Sequence, residues 1–307
     1  MVENITQSVF EDNTVITEEE LKKLKGLGCL KDKRYNNVFN VRVITRNGKV
    51  TSEETKVIAD ASKKYGNGEI TLTSRMTFEI QCVPYKNIYP LINFLEGLGL
   101  TTGGTGPKVR PIVSCKGTTC VFGLIDTFDL SKKIHDKFYV GYHNVVLPHK
   151  FKIAVGGCPN NCVKPDLNDL GIIGQSVPEI NGELCKGCKI CLANKKCYFN
   201  AIKVENNKAK TNYELCNNCG KCINSCPFNA INQKVNGYKI YVGGRWGKKI
   251  ARGIPLNKVF TSQDEVLNTI EKAILLFKNE GIQGERFAET IEISNFSPTW
   301  FYAKTHA

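Results

Sequence analysis

The chain predicts an α+β fold interrupted by a cysteine-rich insert, and three observations carry that prediction. The first hundred residues alternate strand-like and helix-like patterns in the order β-α-β-β-α. Eight of the fourteen cysteines fall between residues 185 and 226, and the first three of each run of four repeat at a period of 31. Strand-like, glycine-containing segments lie on either side of that block, at 151–157 and 237–253, so the block reads as inserted rather than appended.

The elements follow in order. A helix is expected over 17–27, then the strand "VFNVRVIT" (38–45), whose apolar residues alternate. "TSEETKVIADASKKYG" (51–66) reads as a helix. Thr51 and Glu54 have capping-box spacing, Val57, Ile58 and Ala61 form an apolar stripe, and Gly66 closes it. "EITLTS" (69–74) and "TFEIQCV" (77–83) read as strands, and "YKNIYPLINFLEGLG" (85–99) as a second helix ended by glycine. Residues 101–112 form a Gly/Thr-rich connection. A helix is expected near 126–138, the strand "FKIAV" (151–155) runs into Gly156–Gly157, and a last helix covers 263–281. The boundaries drawn are an N-terminal segment (1–35), an α+β half-domain (36–104), the first part of a second domain (105–182), the insert (183–232) and the rest of the second domain (233–307).

Composition bounds the function. With 41% hydrophobic and 23% charged residues, the chain resembles an ordinary globular protein. The start, "MVENITQSVFEDN", has neither a basic region nor an apolar stretch of the secretory type, and no apolar run approaches the roughly 18 residues of a membrane helix. A soluble, cytoplasmic chain with no membrane insertion is expected. In a reducing compartment, clustered cysteines point to metal rather than disulfides. The net charge of +13 raises nucleic-acid binding, but the Lys and Arg residues are scattered without a long basic tract. A bound anionic cofactor accounts for the excess equally well.

Two cysteine runs have ferredoxin spacing. Cys216, Cys219, Cys222 and Cys226, followed by Pro227, match C-x2-C-x2-C-x3-C-P, in which three thiolates hold one cubane and the fourth reaches its neighbour. Cys185, Cys188 and Cys191 start the other run, which has five residues before Cys197, and Tyr198 stands where the second run has proline. By that logic Cys185, Cys188, Cys191 and Cys226 hold one [4Fe–4S] cluster, and Cys216, Cys219, Cys222 and Cys197 hold another. The competing reading of four thiolates is zinc, but zinc ribbons pair C-x2-C units and need no third cysteine at the same step. The insert resembles a two-cluster bacterial ferredoxin, an electron relay.

Four cysteines remain in pairs far apart: "CKGTTC" (115–120) and "CPNNC" (158–162). Together with "GGCPNNCVKPDLNDLGIIG", and with "VRVITRNGKV", "IADASKKYGNGEITLTSRMTFEI", "GPKVRPIVSC" and "YVGGRWGKK", they resemble the signature of the siroheme-containing sulfite and nitrite reductases. The resemblance covers most of 36–250 outside the insert, and the chain is similar to the catalytic subunits of anaerobic sulfite reductases. It implies a ferredoxin-like half-domain followed by an α/β siroheme/[4Fe–4S] domain. Cys115, Cys120, Cys158 and Cys162 would hold a third cubane, and Cys162 would be the thiolate shared with the siroheme iron. The first pair has four intervening residues where five are common in the family. Three clusters and eight siroheme carboxylates would bring on the order of −14, close to cancelling the chain's own charge.

The resemblance also implies a six-electron reduction of sulfite to sulfide. Arg42, Arg75, Lys150 and Lys152 would hold the oxyanion and supply protons. Arg110, Asn160, Asn161, Lys164, Gly243, Gly244 and Arg245 would contact siroheme, and Gly156 and Gly157 would let backbone approach it. Cys29 and Cys82 have no cluster partners and read as buried thiols, and His135, His143 and His149 as ordinary side chains. No G-x-G-x-x-G signature occurs, so electrons are expected from flavin and iron–sulfur partner subunits, in a homo- or hetero-oligomer. The alternatives are a siroheme nitrite reductase making ammonium, a non-catalytic iron–sulfur electron-transfer subunit, and a zinc-containing nucleic-acid binder.

Overall fold

The computed structural model of the chain describes residues 14–293 and 301. The first thirteen residues of the expected N-terminal segment, and the chain after Ile293 apart from Phe301, lie outside them. The chain divides into two compact units: residues 1–113, 132–152 and 282–285 form the first, and 114–131, 153–281 and 286–307 the second. This division crosses the linear boundaries, because 105–113 and 132–152 join the N-terminal unit. Lys150 and Lys152 therefore share a unit with Arg42 and Arg75.

The first unit holds an antiparallel sheet of β1 (Cys29–Lys31), β2 (Val38–Val43), β3 (Ile70–Leu72) and β4 (Phe78–Pro84), in the order β1-β2-β4-β3. Helices α1 (Glu18–Gly26), α2 (Ser52–Tyr65) and α3 (Ile88–Glu96) belong to the same unit. Val41, Val43, Ile80 and Val83 of the sheet share one apolar core with Ile58 and Ala61 of α2 and Leu91 and Leu95 of α3. The expected β-α-β-β-α order is therefore present. The Thr51–Glu54 capping box forms in both directions, at 3.1 and 2.8 Å. The second expected helix opens with a 3₁₀ turn at Tyr85–Asn87 before α3 starts. Pro90 then sits in the first α-turn, where its missing N–H costs nothing.

The second unit is built on a sheet ordered β11-β10-β7-β6-β5, from β5 (Val113–Ser114), β6 (Ile153–Gly156), β7 (Leu170–Ile180), β10 (Ile231–Val242) and β11 (Ile254–Pro255). β6 and β7 are parallel, and β7 and β10 form a long antiparallel ribbon from Leu170↔Val242 to Ile180↔Ile231. The cysteine-rich insert hangs from the end of this ribbon. It contains α5 (Leu192–Lys196) and the hairpin of β8 (Ile202–Glu205) and β9 (Lys208–Thr211), around a small core of Ala193, Ile202, Ala209 and Ala230 with Cys185 and Cys222. Residues 231 and 232, drawn as the end of the insert, belong to β10. The helix expected near 126–138 runs as α4 (Thr127–Ile134) and continues as a π-helical stretch, His135–Val140. α6 (Gln263–Glu280) matches the last expected helix, is capped by Ser262, and is followed by α7 (Phe287–Ile293). Among the described residues no helix is long and apolar enough to cross a membrane.

Candidate active site

The two distant pairs Cys115/Cys120 and Cys158/Cys162 converge in the second unit. Burial pushes the Cys158 thiol up, a backbone N–H from Asn160 opposes it, and Cys115, Cys162 and Cys120 add to the rise by charge repulsion. All three other sulfurs are thus within electrostatic reach of Cys158. Cys115, Cys120 and Cys158 are half-buried, whereas Cys162 is exposed. The convergence depends on backbone packed against backbone. A Cβ on Gly157 would lie 2.7 Å from Gly117 Cα, and one on Gly174 would lie 2.4 Å from the Gly157 carbonyl oxygen. The Gly157 N–H donates to Cys115 Sγ at 3.0 Å. Gly156 and Gly157, expected to serve approach to a macrocycle, have a task within the protein itself: they let Pro165, Gly117 and Gly174 come close.

The loop after Cys158 is held by a residue that sequence reasoning passed over. Asp166, buried behind Pro165, accepts a hydrogen bond from Asn161 Nδ2 at 2.8 Å and pairs with Arg252. Its signal was an Asp directly after proline in "KPDLND". Asn161 and Lys164 both take positive φ, 57° and 48°. Lys164 Nζ lies 5.9 Å from the Trp246 ring centroid, and Asn160 is exposed. Gly243 and Gly244 meet protein: a Cβ on Gly244 would lie 2.3 Å from the Asp166 carbonyl oxygen, and one on Gly243 3.1 Å from Ile291 Cδ1. Arg245 pairs with Glu289. Asn161 Oδ1 and Arg245 Nε are buried polar atoms with no hydrogen-bond partner, and Arg110 Nη1 donates to the Gly104 carbonyl.

In the insert, Cys216, Cys219, Cys222 and Cys197 come together: burial pushes Cys222 up to about 11, and Cys216, Cys219 and Cys197 reinforce it, while its own backbone N–H opposes. Cys185, Cys191 and Cys226 pack into the insert core, and Cys188 is half-buried in the same loop. Backbone N–H groups donate to sulfur at Cys185 (from Ala209, 3.2 Å), Cys197 (from Ala201, 3.3 Å) and Cys216 (from Asn218, 3.4 Å). At Cys185 burial works upward, but the Ala209 and Gly187 amides and Lys208 win and hold the thiol below its ordinary value. Among the described residues, no three His, Cys, Asp or Glu side chains close around a point suited to a single metal ion. Thiolate sets with backbone amides aimed at sulfur are donors of the kind that iron–sulfur clusters take.

The expected oxyanion residues all lie in the first unit. Arg42 on β2 faces its register partner Glu79 on β4, whose Oε2 accepts from Arg42 Nε at 3.1 Å and lies 3.0 Å from Nη2. Sequence reasoning missed Glu79, because cross-strand register is not written in either strand alone. Arg75 donates from Nε and Nη2 to the Pro111 carbonyl at 2.9 and 2.6 Å. Lys150 and Lys152 precede β6 and flank Phe151, which pairs with Val109 as an isolated bridge. Phe151 is fully buried and the two lysines half-buried, so the two-residue alternation holds there. His149 Nδ1 accepts the Lys150 N–H at 2.8 Å. Burial lowers His135 and His143. Cys29 and Cys82 are buried, as expected, and burial pushes Cys29 up to about 12.

A half-domain of antiparallel sheet and helices, followed by a unit that gathers four cysteines from two loops, defines the class. The chain belongs to the nitrite and sulphite reductase family: residues 105–299 match its "Nitrite and sulphite reductase 4Fe-4S domain" and residues 32–98 its "Nitrite/Sulfite reductase ferredoxin-like half domain". It is 36% identical to a Coenzyme F420-dependent sulfite reductase of Methanocaldococcus jannaschii over 85% of this chain but only 41% of that protein, so it spans about two fifths of that relative. It is 28% identical to one subunit of the anaerobic sulfite reductase of Salmonella typhimurium, covering 75% of this chain and 71% of that one. The crystal structure of dissimilatory sulfite reductase I shares its fold, with a TM-score of 0.66 at 22% identity over 83% of this chain and 66% of that one.

Proposed function

We propose that the chain is a siroheme-dependent sulfite reductase in which Cys162 is shared between a [4Fe–4S] cluster and the siroheme iron. The observation that carries this reading is the exposure pattern of the four converging cysteines. A thiolate bonded to a cubane on one side and a macrocycle on the other needs an open side, and Cys162 is the exposed member of the set. The names of the relatives support sulfite as substrate. The orphaned Asn161 Oδ1 and Arg245 Nε fit groups that await a polar ligand.

Siroheme coupled to a cubane supplies an open iron position backed by a multi-electron store. The chain's own residues do the rest. The Gly157 amide donates to Cys115 Sγ and so fixes where that sulfur stands. Arg42, Arg75, Lys150 and Lys152 bind the oxyanion, and the ammonium groups hold protons for the oxygens that leave as water. Arg42 enters this task with its Nε and Nη2 side committed to Glu79, which fixes the guanidinium plane. The insert's two sulfur sets would hold [4Fe–4S] clusters, which would supply one-electron relay from partner subunits, and the working enzyme is an oligomer of soluble subunits in the cytoplasm.

The test is anaerobic purification from cells that make siroheme. About 13 iron atoms per chain, siroheme bands in the visible spectrum and sulfite-dependent oxidation of reduced methyl viologen are expected. Cys162→Ser should lose the siroheme bands and turnover yet keep the insert's cluster signals. A wild-type protein with clusters but no siroheme would leave an electron carrier, and a higher kcat/KM for nitrite than for sulfite would reassign the substrate.

A further inference from the structure

The two halves of the insert repeat one another, and their differences have a direction. At a period of 31, Lys186 corresponds to Asn217, Lys189 to Gly220, Ile190 to Lys221 and Leu192 to Ile223. The second loop is pressed onto β7. The Ser176 N–H donates to the Asn218 carbonyl at 2.8 Å, and the Tyr213 hydroxyl donates to the Pro178 carbonyl at 3.0 Å. A Cβ on Gly220, where φ is +69°, would lie 3.0 Å from Ser176 Cβ, so both the left-handed backbone and the nearness of β7 favour glycine here. Cys216 and Asn217 also line a cleft of about 380 Å³ together with Pro159 and Asn161, from the loop that carries Cys158 and Cys162. The second sulfur set therefore sits on the side of the four-cysteine centre.

The first loop carries at the same positions what a docked surface could not hold. Lys189 stands exposed at the glycine position, and Lys186 is exposed beside it. Ile190 and Leu192 are 63% and 46% exposed, whereas Ile223, the counterpart of Leu192, packs against the insert core; Leu184 and its counterpart Leu215 are exposed alike. Charge follows the same division. Residues 183–197 hold four lysines and one glutamate, while 214–227 hold one lysine and one glutamate. A lysine-rich loop with exposed apolar side chains matches an acidic protein with an apolar contact spot.

We infer that the Lys186–Lys189–Ile190 face of the first loop docks an acidic iron–sulfur protein that donates electrons, and that the electrons leave through the second loop toward the four-cysteine centre. This rests on the proposed function above, whose partner it specifies. In each encounter the donor's reduced cluster loses one electron and the Cys185/Cys188/Cys191/Cys226 cluster gains it, and no bond is made or broken.

The experiment compares two reductants of the holoenzyme: the cationic methyl viologen radical, which needs no docking face, and a reduced acidic ferredoxin. Absence of methyl viologen turnover in the wild type would refute the reductase reading itself. With that turnover present, Lys186→Glu/Lys189→Glu should keep the viologen kcat and raise the KM for ferredoxin about tenfold at low salt, the gap narrowing as salt rises. An unchanged ferredoxin KM overturns the docking face. So does Lys221→Glu raising KM as much as the double variant, since the second loop is the assigned exit. Should the double variant lose its cluster signals, Ile190→Ser removes apolar contact without reversing charge. It should raise the ferredoxin KM severalfold at unchanged viologen kcat, and no rise refutes the assignment.

Discussion

Gly157→Ala tests the packing that brings the two cysteine pairs together. The added methyl would lie 2.7 Å from Gly117 Cα, 3.3 Å from Thr127 Cγ2 and 3.4 Å from Cys115 Sγ. Ordinary carbon contact begins near 3.5 Å, so the Gly117 backbone must retreat by about 0.8 Å, and backbone cannot rotate aside as a side chain can. Overpacking of this kind costs about 1–3 kcal/mol, or ~2–12 °C in Tm for a unit of this size. The same retreat moves Cys115, two residues from Gly117, away from Cys158 and Cys162. The variant should therefore lose the four-cysteine cluster and the siroheme tied to it, keeping about 8 of roughly 13 iron atoms, all in the insert. Iron analysis, the visible spectrum and thermal unfolding read this directly. Gly26→Ala, where a Cβ meets nothing within 4 Å, is the control and should change none of them. Full iron and siroheme in Gly157→Ala at an unchanged Tm would refute the claim that glycine-on-glycine packing assembles the site.

Three further outcomes follow from named contacts. Arg42→Gln should raise the KM for sulfite about tenfold, the size of a lost charge-assisted hydrogen bond, whereas Glu79→Gln, which removes the competing carboxylate, should lower it about threefold in the viologen assay. Asp169, fully buried, accepts two hydrogen bonds from Arg286 Nη2 at 2.8 and 2.7 Å. Asp169→Asn leaves that guanidinium uncompensated and should cost about 3 kcal/mol, seen as a lower urea midpoint at unchanged slope. The Cys29 thiol is pushed by burial to about 12 from an ordinary 9, so near pH 8 its thiolate fraction is roughly a thousandfold below that of an open cysteine. Native protein should resist alkylation at Cys29 up to strongly alkaline pH, and mass spectrometry should show rapid labelling once the chain is unfolded.

What could be read from the sequence was local. The Thr51–Glu54 box, the period of 31 and the C-x2-C-x2-C runs each express chemistry within a few residues, and the α+β half-domain follows from such signals. β7 was not recognised as a strand, although it is the longest partner in its sheet apart from β10. Seven consecutive residues, Leu170–Ser176, are buried, so the strand shows no alternation. Its glycines at 171 and 174 are required by the close approach of the Pro165 and Gly157 backbones, which neither strand propensity nor alternation expresses. The same holds at the site. The cysteines announced themselves by spacing, but Glu79 beside Arg42 depends on cross-strand register, which no short window contains, and Asp166, five residues past Asn161, shows only as an Asp after proline.

The insert shows how a repeated sequence acquires polarity. Two copies of one motif, each able to hold a cluster, become unequal because only one copy can lie against the β7–β10 ribbon from which both hang. The docked copy has glycine at position 220, where the backbone is left-handed and Ser176 of β7 lies close, and it carries little charge. The other copy escapes that constraint and keeps lysines and an exposed isoleucine at the matching positions. A face that had merely drifted would lack charge pattern, whereas here the lysines flank the apolar residues in the loop that β7 does not hold. The direction of electron flow proposed for this chain is therefore tied to which of the two loops lies against β7. Gly220→Lys should undo it, lifting the second loop off β7 and slowing electron transfer to the four-cysteine centre while the insert clusters still reduce at their normal rate.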